Sequence, residues 1–395
     1  MKIRYIVVIM FFCSACIRSK APAVADAVQA EIFTEDSVEY YPIRDNRISV
    51  DLNKPREASL FDYFSHIEVI PLETRRDVLI GARSKVIYHI DRYYVLCEQQ
   101  NAVLVFDDDG MFVYKIDKRG RGPGEYNLLY DIIINPMTGN LDLLDPWGYI
   151  LSYDLSGNHI KTSDKITDTE IRAIHKLGAL DENIYVLISN YHTHKIVYYD
   201  IEKMEFLHQE YEENVAMGTI GNVSPFYEYR GQWYFYRTFD NDTYLLGSEF
   251  LEKAYTWDFG KDAYDIRKVD FLENLDLMSR VEAAKLRFPY WMSYQGQNNR
   301  YVMAQIRLKG IEYVYGNVMY DKSTHESKYI KQFTESVDFR PLIVTNKFVI
   351  NYCSHGLLED YLTEEMLDEK NRKIFETYKE IRQELNPVII KYHFK

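Results

Sequence analysis

From Ile48 to the C-terminus, short apolar runs alternate with polar positions and stop at clusters of turn-forming residues. Ala102 to Phe106 and Met111 to Ile116 flank Asp107-Asp108-Asp109-Gly110, Asp131 to Ile134 stops at Asn135-Pro136, and Ile184 to Ile188 is followed by Lys195 to Tyr199. A period of two marks strands packed on a neighbour, and the Asp, Asn, Gly and Pro clusters mark the turns between them. Units of four short strands recur at spacings of roughly 40 to 50 residues, the range of propeller blades. The expected blades are 84–117, 131–163, 172–210, 224–260 and 291–333, with a sixth beginning near Arg340. Two segments break the rhythm. Residues 272–288 have helix-forming composition, and in 357–385 the residues Ile374, Phe375, Tyr378, Ile381 and Leu385 recur at three- and four-residue steps. The second has a polar face of mixed charge, which suits packing on the propeller rather than on a membrane.

The sequence Lys118-Arg119-Gly120-Arg121-Gly122-Pro123-Gly124-Glu125-Tyr126 joins two strands. A phosphate-cradling loop needs a helix N-terminus directly after it, whereas Pro136, Gly139 and a β-rich run follow here. The glycines and the proline are read as the means of crossing from one sheet to the next. A basic residue followed by GxGPGEY, after a strand–DDDG–strand hairpin, resembles the first blade junction of the six-bladed β-propeller lipoproteins of gut Bacteroidetes, an NHL-like family without a general assigned activity. The likeness extends from about residue 67 to residue 392 and includes the turn from Phe239 to Tyr244 and the closing Trp257-Asp258-Phe259-Gly260. It implies an all-β fold, a single six-bladed β-propeller over 48–395 with helical insertions and an N-terminal lipoprotein signal. His66 to Leu72 is expected to complete the last blade from the N-terminal end, closing the ring.

Composition agrees with a β-rich chain: aromatics are 15% of 395 residues and 35 of them are Tyr, which favours half-buried rings on pleated surfaces. The N-terminus reads as an export signal over 1–15, with Lys2 and Arg4 before the apolar Tyr5 to Phe12. Cys13-Ser14-Ala15-Cys16 resembles a lipobox, with Cys13 where Leu is usual, making Cys16 the lipidated first residue of a tether over 16–47. By resemblance to lipoprotein sorting, Ile17 and the lack of an acidic cluster after Cys16 favour the outer membrane, facing the periplasm. Loss of residues 1–15 removes two basic residues and no acid, leaving 45 basic against 60 acidic residues and a net charge of about −15. Such a surface repels nucleic acid, and the lipid is the expected membrane contact. Cys97 and Cys353 fall in the first and last blades, which a closed ring makes neighbours, and their pairing is left open.

In a propeller the connection from one blade to the next lies on the same face as the loop between a blade's second and third strands. That topology gathers Arg119 and Arg121, Glu98 to Asn101 with Gln99 among them, Trp147, Tyr191 to His194, Asp240 to Asp242, Lys309 and both helical segments around the mouth of the channel. A guanidinium fork at Arg119 and Arg121 suits a carboxylate or sulfate. Trp147 either stacks on a sugar ring or packs on the next blade. His192 and His194, two apart, share a side without a third ligand, and Asp240 and Asp242 either serve as cation ligands and acid–base groups or cap their own turn. No metal, cofactor or catalytic residue is assigned, because no G-x-S-x-G elbow, zinc-protease helix or supported nucleophile pair occurs. The expected role is a binding or accessory lipoprotein of the cell envelope, for glycans, peptides or another small molecule. The alternatives are a propeller-type lactonase or polysaccharide lyase with its site at the channel mouth, and a scaffold for an envelope protein.

Overall fold

The computed structural model describes residues 39–81, 84–166, 174–189, 196–210, 224–247, 250–263, 279, 283, 290–309, 314–381 and 385–395. The expected signal, Cys16, most of the tether and nearly all of the expected helix 272–288 lie outside the described residues. The chain divides into two units, Met1–Glu35 and Asp36–Lys395, and the strands described below belong to the second.

Its order begins with β1 (Arg47–Ser49) and β2 (Phe64–Pro71). Blade 1 is β3 (Ser84–Tyr88), β4 (Arg92–Cys97), β5 (Ala102–Asp107) and β6 (Phe112–Ile116), and blade 2 is β7 (Asp131–Ile134), β8 (Leu141–Asp145), β9 (Tyr149–Tyr153) and β10 (His159–Thr162). Blade 3 is β11 (Ile174–Ala179), β12 (Ile184–Ser189), β13 (Ile196–Asp200) and β14 (Glu205–Glu210). Blade 4 is β15 (Phe226–Tyr229), β16 (Gln232–Tyr236), β17 (Asp242–Leu246) and β18 (Leu251–Asp258). Blade 5 is β19 (Tyr290–Gln297), β20 (Tyr301–Leu308), β21 (Val314–Asp321) and β22 (Glu326–Ile330). Blade 6 takes β23 (Ile343–Val344), β24 (Phe348–Cys353) and β25 (Val388–Phe394) from the C-terminal end and β2 from the N-terminal end, in the order β2-β25-β24-β23. The protein is a six-bladed β-propeller, and the expected blade positions and the ring-closing strand are those observed.

Strand chemistry explains the radial order. Middle strands such as β5 and β13 are buried almost throughout because a blade is covered on both faces by its neighbours, so their sequences are nearly continuously apolar up to a closing Asp. Fourth strands such as β10, His159-Ile160-Lys161-Thr162, are polar and face water. The core is divided into clusters at the blade junctions. One joins Tyr94 and Val105 to Ile132 and Leu143, and another carries closure by joining Ile70, Phe348 and Ile389 of blade 6 to Val86, Tyr93 and Phe106 of blade 1.

Two features depart from the sequence reading. Strand β1 pairs in parallel with β18, giving blade 4 a fifth strand, and buries Ile48 fully beside Trp257. Ordered contacts start before Ile48: the Tyr41 N–H donates to the Asn299 carbonyl, and the Arg230 guanidinium lies 4.5 Å from the Tyr40 ring centre. Residues 357–385 form no single helix but α1 (Leu358–Tyr361) and α2 (Glu369–Glu380). Leu362 turns extended after α1, and Asp368 caps α2 by accepting the Asn371 N–H. The apolar face of α2, with Phe375 and Ile374, packs with Ile67 and Val69 of β2, and Asn371 Oδ1 accepts the Val69 N–H at 2.8 Å. The expectation of a wall or lid over the channel mouth is corrected for α2, because its apolar face is spent on the outer edge of blade 6. Cys97 and Cys353 are free buried thiols, and burial pushes Cys353 up to about 12.

Candidate functional site

The blade-to-blade connection at 117–130 is built by its own residues. The Gly122 N–H donates to Glu125 Oε2 at 2.8 Å, so an internal carboxylate takes the place a phosphate would need. A Cβ on Gly120 would lie 1.9 Å from that same oxygen, so a side chain there would displace the Glu125 carboxylate. Tyr126 is buried and its hydroxyl lies 3.0 Å from both the Asn101 and Ile116 carbonyls, tying the connection to blade 1. Gly124 has φ +71° and packs against the His159 ring, while its carbonyl accepts from the Tyr153 hydroxyl of blade 2. The motif is a junction, as its placement between strands suggested.

On this frame the candidate residues divide. Arg119 is exposed and pairs with Asp117 at 3.1 Å, and Arg121 is exposed with no hydrogen-bond or ion-pair partner among the described residues. Gln99 is exposed and lies over Gly81, whose added Cβ would sit 2.2 Å from its amide. Asn101 is a correction. It is buried with φ +52°, accepts the Leu129 N–H at 2.7 Å and donates to the Asn127 carbonyl at 3.0 Å, so its amide is consumed in holding the connection.

Trp147 stands out from the face, 62% exposed. Its turn is rigid: Asp145 Oδ1 accepts the Trp147 N–H at 2.8 Å, and Gly148 at φ +100° leaves no room for a Cβ, which would meet the Ile166 carbonyl at 2.7 Å. The second Asp145 oxygen accepts the Asn127 N–H at 3.3 Å, so one buried carboxylate fixes both the Trp147 turn and the loop carrying exposed Leu128. Burial raises the Asp145 carboxyl above its ordinary value despite the backbone N–H groups that favour its charge.

Asp240 and Asp242 are also corrected, since both are about 4% exposed with their oxygens engaged. Asp240 accepts from Arg237 Nη2 at 2.8 Å, the Asp242 N–H at 3.0 Å and the Tyr244 hydroxyl at 3.3 Å. Asp242 accepts from the Thr256 hydroxyl at 2.5 Å and pairs with Lys253 at 2.9 Å. They build the turn of blade 4 and present no open carboxylate. Tyr191, His192 and His194 lie outside the described residues. Among the described residues no group of three or more His, Cys, Asp and Glu side chains is placed to hold a metal, and no helix is long and apolar enough to cross a membrane.

A family model described as a domain of unknown function, DUF4934, matches residues 45–393, which is every blade from β1 to β25. The chain belongs to the DUF4934 family. A crystal structure of a Bacteroides fragilis protein, described as exported, is similar in fold, with a TM-score of 0.66 at 14% identity, covering 88% of this chain and 99% of that one. A DUF4221 member from Bacteroides vulgatus has a TM-score of 0.48 at 10% identity, covering 84% of this chain and 97% of that one. No curated protein matches the sequence.

This DUF4934 propeller also carries charge on the strands nearest its axis, which the sequence reading passed over. The first strands of neighbouring blades approach one another there. Lys85 of β3 donates to Asp131 Oδ1 of β7 at 2.6 Å and to the Ile132 carbonyl at 2.8 Å, and Asp131 Oδ2 accepts the Leu177 N–H of β11 at 2.9 Å. The sealed carboxylate thus ties three blades together. Next to Leu177 stands Lys176, and on the first strand of blade 4 stands Glu228. The available signal was a charged residue inside a strand otherwise read as core, in Ile174-His175-Lys176-Leu177 and in Phe226-Tyr227-Glu228-Tyr229.

Proposed function

We propose that this DUF4934 protein is a ligand-binding or accessory propeller of the cell envelope, which takes a glycan or peptide on the face bearing Trp147 and Arg121. The observation that carries this reading is the rigid presentation of Trp147. A large apolar ring is exposed on a turn held by Asp145 and Gly148, and it gives up burial there. A fixed indole offers a sugar ring or an aromatic side chain a stacking surface at low entropic cost. Arg121 adds a charge-assisted contact for a carboxylate or sulfate. The enzyme alternative drew on Asp240, Asp242, His192 and the arginines around the channel; the oxygens of both aspartates are engaged within blade 4, and His192 lies outside the described residues. A scaffold is the second reading, supported by exposed Leu79, Leu128 and Leu357 on connections of the same face.

Anchoring through Cys16 in the outer membrane, facing the periplasm, completes the proposal. It rests on the export-like N-terminus, with the Bacteroides fragilis fold relative described as exported. Metabolic labelling with a fatty-acid analogue is expected to mark the wild type and not Cys16→Ala.

Binding is tested by titrating oligosaccharides and peptides into the purified protein while following tryptophan emission. Trp147→Ala is expected to weaken the active ligand by about tenfold or more, the scale of one aromatic stacking contact and its burial, with little change in melting temperature. Equal affinity in wild type and Trp147→Ala would remove the face site. Capture of an envelope protein lost in Leu128→Asp would move the reading to the scaffold.

A further inference from the structure

Lys176 and Glu228 are two opposite charges near the axis that the fold leaves unsatisfied. Lys176 is 6% exposed, and its ammonium has neither a hydrogen-bond nor an ion-pair partner among the described residues. It is not among the polar atoms sealed without a partner, so the buried stem delivers the ammonium to solvent. The strand is adapted to this: β11 is irregular between Ile174 and Lys176, a bulge at His175 that re-aims the residues after it. Burial, and then the Lys176 charge, hold His175 below its ordinary value, and the nearby Lys85 is already matched by Asp131. Lys176 is therefore one uncompensated positive charge.

Glu228 is the matching negative one. It is exposed, without a hydrogen-bond or ion-pair partner among the described residues, and protein surrounds it closely enough that burial alone pushes its carboxyl up to about 7. Strand parity places the two on one junction. A Cβ on Gly178 would touch Val186, Leu246 and Phe226, so that side of β11 looks toward blade 4, and Lys176 lies two residues away on the same side. Phe226 packs with Val186 and Ile188 of blade 3, and Glu228, two residues on, shares its side of β15. The two charges thus flank the inner end of the junction between blades 3 and 4, yet they do not bond each other.

We propose that this junction is a binding site for a short zwitterionic chain, such as a di- or tripeptide, whose carboxylate meets Lys176 and whose ammonium meets Glu228. Two opposite charges held close against protein without partners offer a ligand that carries both complementary charges two charge-assisted contacts at once. The site goes beyond the Trp147 face and does not depend on it. Its spacing selects ligand length, because both ends must reach their partners together.

The test is thermal melting of the purified full chain at about pH 8, where Glu228 is ionised, against glycine, diglycine, triglycine, 6-aminohexanoate, acetate and ethylammonium. One zwitterion length is expected to raise the midpoint, with acetate and ethylammonium, singly or mixed, giving less. Lys176→Met and Glu228→Gln are each expected to weaken that ligand by about tenfold or more, the worth of a charge-assisted hydrogen bond. Lys176→Gln is the second variant should Lys176→Met misfold, and Trp147→Ala is expected to keep the shift. The proposal is overturned by acetate matching every zwitterion, by a shift that survives either charge removal, by loss of the shift in Trp147→Ala, or by no shift at any length. Loss of saccharide or aromatic-peptide binding in Trp147→Ala, with the zwitterion shift intact, separates the two sites.

Discussion

Glu228 shows what one uncompensated charge does to the stability of this molecule. Burial raises its carboxyl from the ordinary 4.5 to about 7, so the folded chain holds the proton more tightly than the unfolded chain does. The favourable contribution is full below the unfolded value and is lost as pH rises through about 4.5 to about 7. Glu228→Gln stays neutral at every pH. It is expected to melt with the wild type near pH 4 and above it near pH 8, the gap opening across that window. Parallel melting curves at both pH values would show that water screens the carboxylate fully. The sequence shows a charged residue inside Phe226-Tyr227-Glu228-Tyr229 but not how closely protein surrounds it. Only the ring sets that side of β15 against blade 3. The same limit explains Asp240 and Asp242: a turn rich in Asp and Asn signals hydrogen bonding, and whether the acceptors meet a ligand or Arg237, Thr256 and Lys253 depends on neighbouring strands.

Among the elements, β1 carries the clearest consequence. Its single apolar residue, Ile48, is fully buried with Tyr255 and Trp257, while Arg47 and Ser49 both bond Asp258 on the exposed side. Ile48→Ala is expected to cost about 2–4 kcal/mol in urea unfolding, the usual range for emptying a core site. A loss well under 1 kcal/mol would mean that the added strand is dispensable, since surface substitutions fall within about that range. The blades were legible because each supplies four runs with turn chemistry between them, and GxGPGEY was legible because glycine, proline and glutamate all serve one junction. A three-residue strand with one apolar position has no period to read, so β1 was not. Residues 357–385 were legible as helical through Phe375 and Tyr378, but the break at 362–368 was hidden, because Thr363 and Asp368 read equally well as polar surface of one helix.

For the whole ring, closure rests on Lys391 as well as on β2. Its ammonium, 2% exposed at the side chain, lies 4.8 Å from the Tyr88 ring centre and 4.7 Å from that of Phe348, and it pairs with Asp108 of blade 1. The DDDG hairpin is thus more than a turn: Gly110, at φ +83°, passes so close to the Pro71 carbonyl that a Cβ would lie 2.5 Å away. Asp108→Ala leaves a buried ammonium without its acid and is expected to cost about 2 kcal/mol. Lys391→Met, which removes the charge and keeps the apolar stem among the rings, is expected to cost less, and urea unfolding ranks the two. The reverse ranking would mean that the rings rather than Asp108 hold the lysine. Closure also sets a timetable. Strand β2 precedes all of blades 1 to 5 in the chain, and its partner β25 follows them. Until β25 has been made, β2 offers an unpaired edge and blade 6 is incomplete, so the ring stays open through the synthesis of the other five blades.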